Sequence, residues 1–285
     1  VAAAARVEKA APTTGVGVVK FRLFHLGLAV LAGLLQVAAF SPWESFADRG
    51  SWALLAWVAW IPVLRHLWPV TPAEKCPNPF AVGYVMGLIF WSGAIYWLAH
   101  VSLAAVVALV AFLSLYSGVW AWIVSRFFDR WQTISGLSHL WLALVGTAAW
   151  VALEWLRGWL LGGFPWHFAG VSQYRNLAII QIASWTGVYG VSFLVIYLNL
   201  SLWLTWRRLQ HEKFALKSWR YEFSIALLLV VFCLMQGMRE LLKEKRTDGG
   251  GASWRVALIQ PDIPQEIKYV PHNQPAHEER LADLT

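Results

Sequence analysis

The sequence predicts an α-helical polytopic membrane bundle of about seven transmembrane helices, followed by the truncated start of an α/β domain. Three observations carry that prediction. Hydrophobic residues make up 58% of the chain and charged residues only 14%, against roughly 25% charged in an ordinary soluble domain. So few polar groups do not cover a water-facing surface. Apolar stretches then recur along the chain, each near the ~20 residues that a helix needs to cross the hydrocarbon core of a bilayer. After the last of them the pattern changes. Trp254-Arg-Val-Ala-Leu-Ile-Gln260 is a short, β-branched apolar run that ends before Pro261, the pattern of a buried strand.

Seven spans are expected in order. They are Leu23–Phe40, Ser51–Trp68, Phe80–Ala99, Val101–Phe128, Leu137–Trp155, one within Leu177–Trp206, and Phe223–Met238. From Phe80 to Ser125 there is no Asp, Glu, Lys or Arg. That stretch is too long for one crossing, so a tight turn is expected near His100 and Ser102. Gly187 and Gly190 mark an expected break in the sixth span. Residues 1–22, rich in Ala, Pro, Thr and Gly, read as a disordered cytoplasmic tail. Residues 23–240 form the membrane domain, 241–253 a linker with a Gly-rich joint at Asp248–Gly251, and 254–285 the start of the next domain. Arg6, Lys9, Lys20 and Arg22 ahead of the first span imitate a signal peptide. Six further spans favour an uncleaved anchor.

The net charge of +7 does not point to nucleic acid, because the cations sit in short loops between apolar runs. Read as topology, they set orientation. With the N-terminus in the cytoplasm, thirteen Lys and Arg residues fall inside and three, Arg49, Arg157 and Arg175, outside. The chain after Met238 then lies outside, in a Gram-negative periplasm. The twenty tryptophans are expected at the headgroup level, where an apolar ring with one N–H donor is favoured. Cys76 and Cys233 have neither metal-ligand spacing nor equal depth, so neither a metal site nor a disulfide is expected.

Three clusters stand out. In Glu154-Trp-Leu-Arg-Gly-Trp-Leu-Leu-Gly-Gly-Phe-Pro-Trp166, Glu154 and Arg157 share a helix face at i and i+3 and are expected to pair. Gly158, Gly162, Gly163 and Pro165 then forbid a regular helix. Irregular backbone at membrane depth survives only when buried in protein or lining a cavity. The segment therefore reads either as an arm that handles a lipid or peptide, or as an interfacial turn with aromatic anchors. His100, in Tyr96-Trp-Leu-Ala-His-Val-Ser102, and His167 both read as ordinary interfacial residues. In Gln260-Pro-Asp-Ile-Pro-Gln-Glu-Ile-Lys-Tyr269, Tyr269 is a candidate pocket residue. Asp262, Glu266 and Lys268 read as solvated charges. No nucleophile motif is present, neither G-x-S-x-G nor a P-loop nor H-E-x-x-H.

Taken in order, these segments resemble bacterial apolipoprotein N-acyltransferases. The resemblance rests on Ala39-Phe-Ser-Pro42, Tyr96-Trp-Leu with Val101-Ser102, Glu154 to Trp166 with Ser172-Gln173, Gly187-Val-Tyr-Gly-Val-Ser-Phe193, and Val256 through Gln265. It implies a nitrilase-like α/β domain after the seventh helix and an eighth helix beyond it. It implies a two-step transfer. A cysteine thiolate, assisted by a Glu–Lys pair, takes a fatty acyl chain from a phospholipid donor as a thioester. The α-amine of a diacylated apolipoprotein's N-terminal cysteine then receives that chain as an amide. It implies no cofactor. The catalytic Glu, Lys and Cys are expected after Thr285, so none is assigned within this chain, and the fragment alone is expected to be inactive. Phe164, Trp166 and Tyr269 are the expected substrate contacts, with Glu154 and Arg157 setting the arm. Tyr269 stands where the family often has Trp, and Pro261 where Gly is common. The alternatives are a non-catalytic membrane scaffold, a transporter, and a membrane-tethered amidohydrolase. The charge-poor centres of the spans disfavour the transporter.

Overall fold

The computed structural model describes residues 15–40, 51–70, 78–131, 136–211, 221–247, 256–268 and 270–284. The chain divides into two compact units, Val1–Leu242 and Lys243–Thr285. The first is helical throughout its described residues. It contains α1 (Gly15–Ala39), α2 (Ile61–Leu67), α3 (Pro79–Ala94), α4 (Leu103–Trp131), α5 (Gly136–Arg157), α6 (Leu177–Ile180), α7 (Ala183–His211) and most of α8 (Tyr221–Thr247). Short 3₁₀ segments at Ser51–Trp57, Tyr96–His100, Leu160–Gly162 and Ala169–Gln173 join them.

Local chemistry sets several ends. Asn78 accepts a hydrogen bond from the Ala81 amide at 3.1 Å and Pro79 follows it, so α3 starts with a side-chain cap and a ring already fixed in helical φ. The expected turn between the third and fourth spans is present. The Tyr96–His100 segment and Val101–Ser102 separate α3 from α4. Gly187, at φ 63 and ψ −172, breaks α7 near its start, where a break was expected.

Among the described residues, four helices are long and apolar enough to cross a bilayer: Leu103–Arg130, Leu137–Arg157, Ala183–Gln210 and Tyr221–Lys243. Three further apolar stretches, Leu26–Ala39, Trp52–Leu67 and Pro79–Ala94, are shorter. The expected second span is not one continuous helix. It runs as a 3₁₀ segment, a turn, and then α2 with Pro62 in its first turn. Asn199 of α7 holds this irregular stretch. It accepts from the Trp60 amide at 3.0 Å and donates to the Ala56 carbonyl at 2.8 Å.

The core lies among α1 to α5 and α7. Packing is most extensive between α3 and α4. A Cβ on Gly83 would strike Ser117 and Ala121, and one on Gly87 would strike Ser114, so the two backbones approach closely through small residues. Several tryptophans lie inside rather than at an interface. Trp60, Trp68 and Trp120 are fully buried. The indole of Trp68 donates to the Val124 carbonyl at 3.0 Å and that of Trp120 to the Gly146 carbonyl at 2.9 Å. Trp150 meets both Trp60 and Trp120 edge-to-face at 5.2 Å. A buried ring whose N–H finds a carbonyl supplies large contact area without an unpaired donor.

At one end of the bundle Arg208 of α7 and Glu222 of α8 form a buried ion pair, and Arg208 Nη2 also lies 2.6 Å from His139 Nδ1 of α5. α8 is the least covered of the four long helices, with 17% of its apolar window buried. Cys233, on α8, is a buried free thiol, and Cys76 lies outside the described residues.

In the second unit, α9 (Gln265–Lys268), a 3₁₀ turn Pro271–Asn273 and α10 (Gln274–Asp283) follow an irregular stretch. The strand expected at 254–260 is not formed in residues 256–260, and Leu258 is 95% exposed. Among the described residues no other strand exists to share its ladder, and a strand without a partner leaves its backbone groups unpaired. Trp254 and Tyr269 lie outside the described residues, as do 1–14 of the expected tail.

Candidate functional site

α5 ends at Arg157, and the chain then runs irregularly to Asn176. Leu161, Gly162, Gly163 and His167 all have positive φ. At Gly163 a side chain would also collide with the Gly158 carbonyl group and Trp159, so glycine is required there by conformation and by space.

Two buried charges hold this loop. Glu154 is 3% and Arg157 4% exposed. Glu154 Oε1 accepts from the Ala169 amide at 2.6 Å and from the Trp150 indole at 2.8 Å. Arg157 Nη1 donates to the Phe164 carbonyl at 2.6 Å and to the Trp166 carbonyl at 2.7 Å. The Arg157 guanidinium is also sandwiched between the rings of Trp91 and Phe168, 4.8 Å from each centroid, a geometry that offsets part of its desolvation. The i,i+3 spacing predicts a direct pair, but the two side chains form no ion pair with each other. Each spends its hydrogen bonds on loop backbone, because those buried amides and carbonyls have no other partner to satisfy them. Their charges still attract one another through the site.

The far side of the loop is fixed as firmly. Gly170 packs so closely on α7 that a Cβ would meet the Val188 carbonyl and the Ser192 amide at 2.7 Å, and its own amide donates to Ser192 Oγ at 2.8 Å. Gln173 accepts from the Trp57 indole at 3.1 Å and donates to the Ala53 carbonyl at 2.9 Å. Gln173 therefore clamps the loop to the Ser51–Trp57 segment, and Ser172 donates back to the Ala169 carbonyl at 2.7 Å.

What the loop presents outward is aromatic. Trp166, 44% exposed, stacks on Trp97 at 5.3 Å and 19°. Phe164 lies 5.5 Å from Trp166 and 5.9 Å from Trp91. Beside them an open groove of about 430 Å³ is lined by Phe40, Pro165, Trp166, His167, Val171 and Tyr174. The structure thus brings together four of the expected residues: Glu154, Arg157, Phe164 and Trp166.

Sequence reading assigned His167 an ordinary interfacial role. Its ring instead packs against Phe40 at 5.3 Å, Trp91 at 6.1 Å and Phe90 at 6.3 Å. Burial, and after it the Arg157 charge, push its pKa below the usual imidazole value. The folded state therefore binds a proton less readily than the unfolded chain. Stability from this residue is full above about pH 6.5, the unfolded value, and is lost as pH falls toward the folded pKa. Thermal unfolding in detergent from about pH 8 to pH 5 should show this loss, and His167→Phe should make the profile flatter than wild type across that imidazole range. Parallel profiles would contradict the assignment. His100, by contrast, is exposed on its turn.

Trp97, Trp91, Phe168 and Ser192 also belong to the site and were not singled out. Only the repeated aromatic–glycine texture of their segments hinted at them, since they arrive from α3, the Tyr96–His100 segment, the loop and α7. Chemically, the rings, carbonyls and fixed guanidinium suit an amphipathic chain held at the end of the bundle. No activated nucleophile stands among these described residues.

Comparison with known proteins bears on this arrangement. Residues 32–201, which include the whole loop, match the family described as "Apolipoprotein N-acyltransferase N-terminal domain". The chain is 35% identical over 259 residues to the apolipoprotein N-acyltransferase of Geobacter metallireducens, covering 87% of this chain and 45% of that protein. It is 32% identical over 273 residues to that of Methylococcus capsulatus, covering 90% and 48%, and 29% identical over 257 residues to that of Chromobacterium violaceum, covering 89% and 41%. The chain spans about half the length of the curated relatives it matches. With the matched segment and the buried Glu154–Arg157 loop both in place, this chain belongs to the apolipoprotein N-acyltransferase family.

Proposed function

We propose that this chain is the membrane, lipid-handling part of an enzyme that moves a fatty acyl chain from a phospholipid to the N-terminal diacylglyceryl-cysteine of an apolipoprotein. The observation that carries this reading is the aromatic arm. Trp166 lines an open groove with Phe164 packed beside it, and two buried charges hold the backbone that bears them. A groove lined mainly by rings, with few polar groups, suits an acyl chain or a diacylglyceryl group.

The four long helices and the three shorter apolar stretches make seven crossings in this reading. The distribution of Lys and Arg supports an orientation with the N-terminus in the cytoplasm and the Glu154–Asn176 loop on the periplasmic face of the bacterial inner membrane. The catalytic Glu, Lys and Cys belong to the nitrilase-like part of the full-length protein. There the thiolate attacks the ester carbonyl of the donor, expels a lysophospholipid and becomes a thioester. The acceptor amine attacks that thioester, releases the thiolate and forms the amide. This chain contributes position: both lipids are held with their reacting ends at one face, which replaces a bimolecular search by a near-unimolecular encounter.

Trp166→Ala tests the reading. With phosphatidylethanolamine vesicles and a diacylated peptide acceptor, the full-length variant should transfer acyl chains at least tenfold more slowly, a loss of about 1.4 kcal/mol of transition-state stabilisation. Its membrane insertion and melting temperature should stay near wild type, because the ring is partly exposed. Unchanged turnover would remove Trp166 from the site.

A further inference from the structure

Next to the arm lies a small, partly open cavity of about 20 Å³. It is lined by α3, α4, α5 and the loop, and Tyr116, Ser117, Glu154, Arg157 and His167 supply its polar groups. Three buried side-chain atoms of these residues have no hydrogen-bond partner: Tyr116 Oη, Glu154 Oε2 and His167 Nδ1. A buried polar group is normally satisfied by protein or by an ordered water, and one of these belongs to a carboxylate that is 3% exposed. The three residues that bear these atoms all line this one small space, and they come from α4, α5 and the loop respectively.

The space and the donor–acceptor set fit one ligand. A cavity needs roughly 10–15 Å³ of this kind of volume to hold a water molecule, and a buried water typically makes about three hydrogen bonds. Neither a lipid headgroup nor an inorganic anion fits in so small a volume. A metal ion is disfavoured by the Arg157 guanidinium on the same wall.

We propose that this cavity is a built site for a single ordered water that ties the arm to the bundle. The water accepts from the Tyr116 hydroxyl and donates to Glu154 Oε2 and to His167 Nδ1, the latter with the imidazole in its Nε2–H tautomer. Three orphaned atoms are satisfied at once, with donors and acceptors in balance. His167 lines both this cavity and the open groove, so the water braces the inner side of a residue that forms the groove wall. Tyr116, which no reading of the loop sequence would single out, becomes a positioning residue for the arm. This inference stands on buried geometry alone and is independent of the acyl-transfer reading.

The test is a structure of the full-length wild-type protein at a resolution that places waters. A peak within about 2.7–3.2 Å of Tyr116 Oη, Glu154 Oε2 and His167 Nδ1 supports the site. An empty cavity, a peak that touches fewer than two of these atoms, or a peak with metal-like contacts near 2.0–2.4 Å overturns it. A double-substitution cycle reads the same link without density. Tyr116→Phe and His167→Phe each remove one partner of a shared water, so their melting-temperature losses together should fall short of the sum of the two. Strictly additive losses would mean that no common ligand joins them.

Discussion

Arg157→Ala is expected to reduce acyl transfer by the full-length protein about 100-fold, the scale on which a displacement near 1 Å is felt by a positioned reaction. One guanidinium nitrogen holds the carbonyls of both Phe164 and Trp166, so its loss releases both ends of the Phe-Pro-Trp arm together. The same change removes a neighbouring cation from the buried Glu154 carboxylate, which keeps its bonds to Ala169 and Trp150, so stability falls as well. Arg157→Lys separates these effects. A lysine restores the charge, but a single ammonium does not reproduce the planar fork or its sandwich between Trp91 and Phe168. Stability should recover more than activity does. Measuring kcat and KM below the variants' melting temperatures checks this. Equal recovery of both in Arg157→Lys would show that charge alone, not the arm's geometry, is what Arg157 supplies.

The second large effect is one of stability, at the other end of the bundle. Glu222→Ala is expected to cost about 3–5 kcal/mol, because Glu222 is fully buried and Arg208, its partner, is 4% exposed. The substitution removes that carboxylate from the guanidinium where α5, α7 and α8 meet. Replacing both partners by apolar residues of similar volume, Arg208→Met with Glu222→Leu, should cost less than the single change, since both charges of the pair leave the interior together. Thermal or denaturant unfolding in detergent distinguishes the cases. A double variant at least as unstable as Glu222→Ala would mean that the pair is not the element being broken.

Much of this architecture was legible in the chain, and the reasons are physical. The turn near His100 followed from a charge-free run too long for one crossing, and the break at Gly187 from a residue that tolerates positive φ. The arm was visible because Gly162, Gly163 and Pro165 cannot continue α5. The composition of buried contacts was not legible. Glu154 and Arg157 looked like a salt bridge at i and i+3. Whether a buried charge pairs with its neighbour or with backbone depends on which loop groups arrive beside it, and local spacing carries no information about that. The tryptophans were expected at the interface for a similar reason. An indole is equally content in a core where a helix carbonyl such as that of Gly146 accepts its N–H.

The expected strand failed on a different ground. Its pattern is a strand pattern, but a strand is stabilised by ladders with neighbours, and residues 256–260 have none among the described residues. The second expected span is not one continuous helix, because Pro62 and the Asn199 contacts divide it. The contribution of His167 depends on Phe40, Phe90 and Trp91, which converge only in three dimensions.

The central claim is that the groove beside Trp166 receives a lipid-bearing substrate. A photoreactive benzoylphenylalanine placed at position 166 of the full-length protein, and another at the exposed Trp141 as a control, would be irradiated with a labelled diacylglyceryl peptide. Position 166 should form an adduct that excess unlabelled peptide abolishes, while position 141 should form none that competes. Equal, non-competable labelling at both positions, or no adduct at 166, would contradict the claim that this groove is a substrate site.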